Sequence, residues 1–173
     1  ANHQSHFDPP LIGVAGHRRW FYSLARESLF EPPVFGKMIK FWNAIPVQRG
    51  ESDPSALRKS IEALKDGHAL LVFAEGARTL SGEVEPFQRG VLLLVRRAKP
   101  TIVPVAVDGA YEVWQRGSKR PSFQGRIGVA FGPPISSEDV LRLAPDEAMA
   151  QLRDRVIELQ SMIRERHTGA VSS

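Results

Sequence analysis

The chain has 173 residues, 42% of them hydrophobic and 24% charged, with a formal net charge of +4 and a pI near 9.8. That length and balance suit one globular domain with its own core, and not a disordered segment. The absence of cysteine excludes disulfides, a thiolate nucleophile and a thiolate metal site, while the positive charge favours anionic partners such as phosphate esters, acidic lipid or nucleic acid.

The first stretch, Asn2-His3-Gln4-Ser5-His6-Phe7-Asp8, holds two histidines and one carboxylate. His3 and Asp8 are separated by four residues, a spacing that lets one turn of chain bring imidazole against carboxylate. A carboxylate so placed keeps one ring nitrogen protonated and leaves the other as a base. The plainer reading is a helix-entry loop in which Asn2, Ser5 and Asp8 act as caps. His6 competes with His3, because an extended pair between it and Asp8 would point both side chains to one face. Pro9-Pro10 pre-sets a helix start.

Trp20–Ala25 reads as a strand by its aromatics. Pro32-Pro33 breaks the chain, Phe35–Trp42 is a short helix, and Ala44–Gln48 is a strand followed by Arg49-Gly50. The clearest helix has Asp53 as N-cap, Pro54 at its first position and Gly67 just past its end, with Leu57, Ile61 and Leu64 as its apolar stripe. His68–Phe73 is a strand buried on both faces, Gly82 and Pro86 mark a loop, and Phe87–Ala98 is helical with Val91, Leu94 and Val95 on one side. Thr101–Val107 and Phe123–Phe131 are further strands, the latter ended by Pro133-Pro134. Pro145–Arg166 is a long amphipathic helix whose stripe, Leu152, Val156, Leu159 and Ile163, is assigned to the core. Residues 168–173 form a frayed tail. No apolar run approaches the roughly eighteen residues of a membrane span. Alternating strands and helices predict an α/β fold built on a single mixed sheet flanked by helices, in one domain over residues 1–173.

A second cluster, Phe73-Ala74-Glu75-Gly76-Ala77-Arg78-Thr79, follows directly on a buried strand. Strand exits are where α/β proteins place their ligands. Gly76 permits a tight turn and Arg78 offers a forked cation suited to phosphate. Arg49 stands in the same relation to the strand before it, so two arginines at two strand ends can meet on one anion, although a solvated surface arginine is the common alternative for each.

Four blocks in order then resemble the glycerolipid acyltransferase family of phospholipid synthesis. Asn2–Asp8 is similar to its first motif, Asn-His with Asp five residues after the His. Ile45-Pro46-Val47-Gln48-Arg49 is similar to the second, Phe73–Thr79 to the third, and Ile102-Val103-Pro104-Val105-Ala106 to the fourth. The segments Ala25–Phe30 and Phe87–Gly90 also look familiar from that family. Ala74 stands where the third motif has proline, Ala77 where it has threonine, and Gln48 where the second has an acid. The family's first motif follows an apolar strand, so the resemblance implies that a strand and helices preceding Ala1 are lacking.

What the resemblance implies is acyl transfer from acyl-CoA or acyl-carrier protein to a hydroxyl of lysophosphatidic acid or a related lysolipid, with no tightly bound cofactor and no metal. It assigns His3 as base and Asp8 as its partner. Arg49, Glu75, Gly76, Arg78 and Thr79 are assigned to the acceptor and its phosphate, and Pro104 to shaping the acyl pocket. A lipid acceptor further implies a membrane surface, at the cytoplasmic face. The mixture of Trp20, Phe21, Tyr22, Phe30, Phe35, Phe41 and Trp42 with Arg18, Arg19, Lys37 and Lys40 suits a headgroup interface, or else those aromatics are core. Two rival classes are a metal-dependent hydrolase using His3, His6 and Asp8, and a non-catalytic module binding anionic lipid. Basic residues scattered among acids argue against nucleic acid.

Overall fold

The computed structural model describes residues 1–16, 20–48, 53–118, 120–122 and 125–169. Helix α1 is Asp8–Ala15, with Pro9 and Pro10 in its first turn, where their missing N–H groups leave nothing unpaired. Strand β1 (Phe21–Arg26) runs into a 3₁₀ turn over Glu27–Phe30, then α2 (Pro33–Phe41), β2 (Ala44–Val47), α3 (Pro54–Lys65) and β3 (Ala69–Leu71). These three strands form a parallel sheet in the order β2-β1-β3, with Ser23 opposite Ala44 on one side and Leu71 on the other. Pro46 lies on β2, an edge strand, where a missing N–H costs no ladder bond.

Helix α4 (Val91–Ala98) leads to β4 (Val105–Asp108), α5 (Ala110–Val113), β5 (Gly128–Phe131), α6 (Ser137–Arg142) and α7 (Pro145–Gly169). β4 and β5 pair antiparallel. The sheet expected to be single is therefore two ladders, and the first residues of the chain splice them. The Ala1 amino group donates to the Val72 carbonyl (3.0 Å) and Ala74 N–H donates to the Ala1 carbonyl (3.2 Å). On the other side the Asn2 carboxamide stands in for a peptide group. Its Nδ2 donates to the Val107 carbonyl and its Oδ1 accepts the Val107 N–H, both at 2.8 Å.

The core follows the periodicities. Val105 and Val107 of β4 pack with Ile12 and Leu71 on one face, while Ala106 faces Val156, Leu159 and Ile163 of α7 on the other. All four stripe residues of α7 are buried, each contributing about 2 kcal/mol of apolar burial. A third cluster joins Leu92 and Val95 of α4 to Val140, Met149 and Leu152.

Several boundaries move for identifiable reasons. In α3 the Asp53 carboxylate caps as expected, accepting from the N–H groups of Ser55 and Ala56 at 3.0 Å, a cap worth about 1 kcal/mol. Its buried line, however, is Ala56, Ser60 and Ala63, with Leu57, Ile61 and Leu64 half-buried beside it. β3 stops at Leu71 because the pairing partner changes there from β1 to Ala1. α4 begins at Val91, not Phe87, because Gln88 N–H is held by the Ala74 carbonyl at 2.7 Å and Gln88–Val91 forms a turn closed by Val91 N–H on the Gln88 carbonyl at 3.3 Å. The strand expected over Thr101–Val107 is broken by Pro104, which leaves Ile102 in an isolated bridge to Ile135. β5 starts only at Gly128; Phe123 lies outside the described residues, as do residues 170–173 of the expected tail. No described helix is long and apolar enough to cross a membrane.

Candidate active site

The parallel strands deliver their C-terminal ends to one edge. β1 ends at Arg26, and β3 runs on into Phe73-Ala74-Glu75-Gly76. There the chain turns, with Gly76 N–H donating to the Phe73 carbonyl at 3.1 Å. Gly76 has φ +75°, a left-handed conformation that disfavours residues with a Cβ. The turn aims the Glu75 side chain back at the first residues of the chain.

His3 is held on every side. Glu75 Oε1 accepts its backbone N–H at 3.0 Å, and its carbonyl accepts the Thr79 N–H at 2.8 Å. Its ring stacks on Phe73 with centroids 4.0 Å apart and planes 16° off parallel. Its Nδ1 meets Asp8 Oδ2 at 2.7 Å, so the side chain presents Nε2 outward with 19% of its surface exposed. Asp8 is fully buried at the start of α1, where the helix dipole favours a carboxylate. The same Oδ2 also accepts the N–H groups of Gln4 (2.6 Å) and Ser5 (2.8 Å). A carboxylate with three donors on one oxygen is fixed in place. The ring it holds has Nδ1–H directed at it and a free Nε2 lone pair, the arrangement of a general base.

The two histidines of the motif have different surroundings. Asp8 bonds His3, while His6 packs edge-on against Trp114 with centroids 5.5 Å apart. Burial, followed by the nearby charges of Arg78 and His3, lowers the His6 pKa to about 4, leaving it neutral at pH 7. Among the described residues no group of three or more His, Asp or Glu side chains is placed to hold a metal ion.

Glu75 and Thr79, expected against the acceptor, are buried beside His3, with Glu75 Oε1 on its N–H and the Thr79 N–H on its carbonyl. The Thr79 hydroxyl lies 3.3 Å from both Glu85 Oε1 and Ser81 Oγ. Burial raises the Glu75 carboxyl to about 7, against the opposing pull of the His3 N–H and with a further push from Glu85. A carboxyl whose pKa is higher in the folded than in the unfolded chain favours folding below its unfolded pKa, and that contribution is lost as pH rises through the folded value. Stability should therefore fall between about pH 4.5 and 7. Glu75→Gln keeps an oxygen for the His3 N–H and removes the charge. It should flatten this fall by on the order of 2 kcal/mol, partial exposure discounted, in urea unfolding at pH 5 and pH 8; equal slopes in both proteins would remove the assignment.

Arg78 is half-buried, and burial, then the charges of Arg116 and Arg26, lowers its pKa. Arg26 at the end of β1 and Arg116 beyond α5 therefore stand close enough to act on it. No carboxylate forms an ion pair with any of the three among the described residues; Asp8, which offsets them in part, already holds His3. Arg49 lies outside the described residues. Pro104 is buried at the opposite end of β4 from the residue that Asn2 holds, its carbonyl accepting Gly132 N–H at 2.9 Å, and is not gathered with His3. Arg26, Asn2 and Gln4 are functional neighbours that spacing alone did not single out. All three lay in segments that resembled the family, Asn2 and Gln4 in the first motif and Arg26 in Ala25–Phe30, but only Asn2 was given a role there, as a cap.

Comparison with known proteins follows the same outline. Residues 1–108 match the family model described as Acyltransferase. The 1-acyl-sn-glycerol-3-phosphate acyltransferase of Bacillus subtilis (strain 168) is 27% identical over 165 residues, covering 93% of this chain and 79% of that protein. The protein of the same description from Streptococcus pneumoniae (strain ATCC BAA-255 / R6) is 28% identical, over 90% of this chain and 56% of its own length. The crystal structure of the 1-acyl-sn-glycerophosphate (LPA) acyltransferase PlsC from Thermotoga maritima superposes with TM-score 0.79 at 25% identity, over 94% of this chain and 64% of that one. The chain thus spans a little over half of the Streptococcus relative and under two thirds of the Thermotoga chain.

Proposed function

The chain belongs to the acyltransferase family, and from that premise we propose that it transfers an acyl group from a thioester to the free hydroxyl of lysophosphatidic acid or a closely related phosphorylated lysolipid. The observation that carries the reading is the 2.7 Å bond between His3 Nδ1 and a buried Asp8, whose charge also reaches Arg78, one of three neighbouring arginines that form no ion pair with a carboxylate among the described residues. An alcohol is a poor nucleophile near neutral pH until a base takes its proton. Nε2 of His3 removes that proton as the acceptor oxygen bonds to the thioester carbon. The carbon–sulfur bond then breaks, and the departing thiolate recovers the proton from the imidazolium. Asp8 holds the ring's tautomer and offsets the imidazolium charge. No acyl-enzyme is required, in keeping with a chain that contains no cysteine.

Arg78 and Arg26 hold the acceptor phosphate in this proposal, joined by Arg49 on the strength of the sequence motif. Glu75 and Thr79 act by holding His3. Acyl-CoA and acyl-carrier protein both supply the required thioester. A lipid acceptor puts the reaction at a membrane surface, which we take to be the cytoplasmic face. Trp20 (68% exposed) and Phe41 (72% exposed), packed edge-on at 6.5 Å near Lys37 and Lys40 in sequence, are suited to a headgroup layer. Arg18, Arg19 and the side chain of Phe35, included in that interface from the sequence, lie outside what is described.

The test is thiol release from acyl-CoA with a panel of acceptors. Release that requires lysophosphatidic acid supports the proposal, release without any acceptor indicates a thioesterase, and no release from folded protein with any acceptor or donor overturns it. In the same assay Arg78→Ala should raise the acceptor KM about tenfold or more and leave the donor KM unchanged. An unaltered acceptor KM would remove Arg78 from the phosphate site.

A further inference from the structure

We propose that Arg116, on the segment after α5, is a further phosphate-binding cation, taking the acceptor's phosphate monoester together with Arg78 and Arg26. This rests on the acyl-transfer reading above and extends it past residue 108, where the family match ends.

The segment that carries Arg116 is built onto the first motif. Gly109 has φ +85°, and a Cβ there would meet the Arg126 carbonyl oxygen at 2.0 Å, so the chain turns sharply between β4 and α5. Gln4 Oε1 accepts the N–H groups of Ala110 (3.1 Å) and Tyr111 (3.2 Å), the first residues of α5. The Gln4 side chain is almost wholly buried, and its Nε2 donates to the Gly82 carbonyl at 2.7 Å, so α5 is fixed relative to the loop carrying His3. At the other end of α5, Ser5 Oγ donates to the Trp114 carbonyl at 3.3 Å, and the Trp114 ring packs on His6 and on Phe7 (5.1 Å). Tyr111 Oη adds a bond to the Leu80 carbonyl at 2.7 Å.

These contacts set Arg116 down beside the turn of the third motif, where its Nη1 donates to the Arg78 carbonyl at 3.3 Å. A guanidinium has five N–H donors in a planar fork, so one bond to a carbonyl leaves others for an anion. Like charges held together without an acid are unfavourable until an anion joins them, and a phosphate monoester, carrying close to two negative charges, is matched to such a group. Arg116 lowers the Arg78 pKa more than Arg26 does, which agrees with this placement.

Two phosphate sources exist, the acceptor and the nucleotide portion of a CoA donor, and steady-state kinetics separates them. Arg116→Ala should raise the KM for lysophosphatidic acid about tenfold or more, with kcat and the acyl-CoA KM within about twofold of wild type. Arg116→Lys should recover part of the loss, having the charge without the fork. Arg116→Gln keeps a donor for the Arg78 carbonyl and should behave as Ala does, separating charge from packing. An acceptor KM within twofold of wild type in the Ala and Gln variants overturns the proposal, and so does a rise confined to the acyl-CoA KM. Failure of the acyl-transfer reading itself shows as wild-type protein without acceptor-dependent thiol release. In that event calorimetric binding of glycerol 3-phosphate to wild type and to Arg116→Gln decides the phosphate site, equal affinities counting against it.

Discussion

Replacing His3 with alanine is expected to lower acceptor-dependent thiol release by about 10²- to 10⁴-fold, the range of a lost general base, in a protein that remains folded. The two halves of this expectation come from different contacts. The backbone of His3 is held by Glu75 and Thr79, and alanine retains both bonds. Asp8 keeps the N–H groups of Gln4 and Ser5 on its Oδ2, so its charge is not stranded in the interior. The structural loss is one stacked ring on Phe73, on the order of 1 kcal/mol. The chemical loss is that of the base itself, because the Nε2 that takes the hydroxyl proton goes with the ring, while the His6 ring packs edge-on against Trp114. Thiol release and thermal unfolding measured on the same preparation read the two effects apart. A variant that turns over at the wild-type rate would remove His3 as the base.

That residue pair was legible in the sequence because its determinant is local: four intervening residues and one turn bring imidazole to carboxylate whatever the rest of the fold does. The same holds for the Asp53 cap of α3 and for the buried stripe of α7, where a 3.6-residue period repeats long enough to be unambiguous. Placement that depends on a distant partner was not legible. Nothing in the run His68–Phe73 indicates that pairing passes from β1 to Ala1 after Leu71. Glu75 was assigned to the acceptor because it follows a strand. Only the turn at Gly76 shows it aimed at the His3 N–H, 72 positions away in the chain. Arg26 and Arg116 sit at a strand end and in a loop, positions without a period, and their bearing on Arg78 exists only in three dimensions.

Asp8→Asn should also abolish most of the activity, again by about 10²- to 10⁴-fold, but for a reason that identifies the role of charge. One oxygen of Asp8 receives three donors, His3 Nδ1 and the N–H groups of Gln4 and Ser5. An asparagine oxygen in that place continues to accept all three, so the ring keeps its tautomer, while the amide nitrogen takes the place of Oδ1, a buried atom with no hydrogen-bond partner among the described residues. What disappears is the negative charge that stabilises the imidazolium formed when Nε2 takes the hydroxyl proton. If the amide nitrogen rotates to face the ring instead, Nδ1 must accept, Nε2 carries the proton, and the base is lost outright. Both orientations predict a fall in kcat with little change in acceptor KM, since phosphate binding belongs to the arginines. Asp8→Ala differs in kind. It leaves two backbone N–H groups without an acceptor in a fully buried position, at about 1–3 kcal/mol each, and should lower the melting temperature as well as the rate. An Asp8→Asn protein retaining more than about a third of wild-type kcat would show that the carboxylate serves only to shape the loop, and the mechanism would then have to be carried by an uncharged imidazole contact alone.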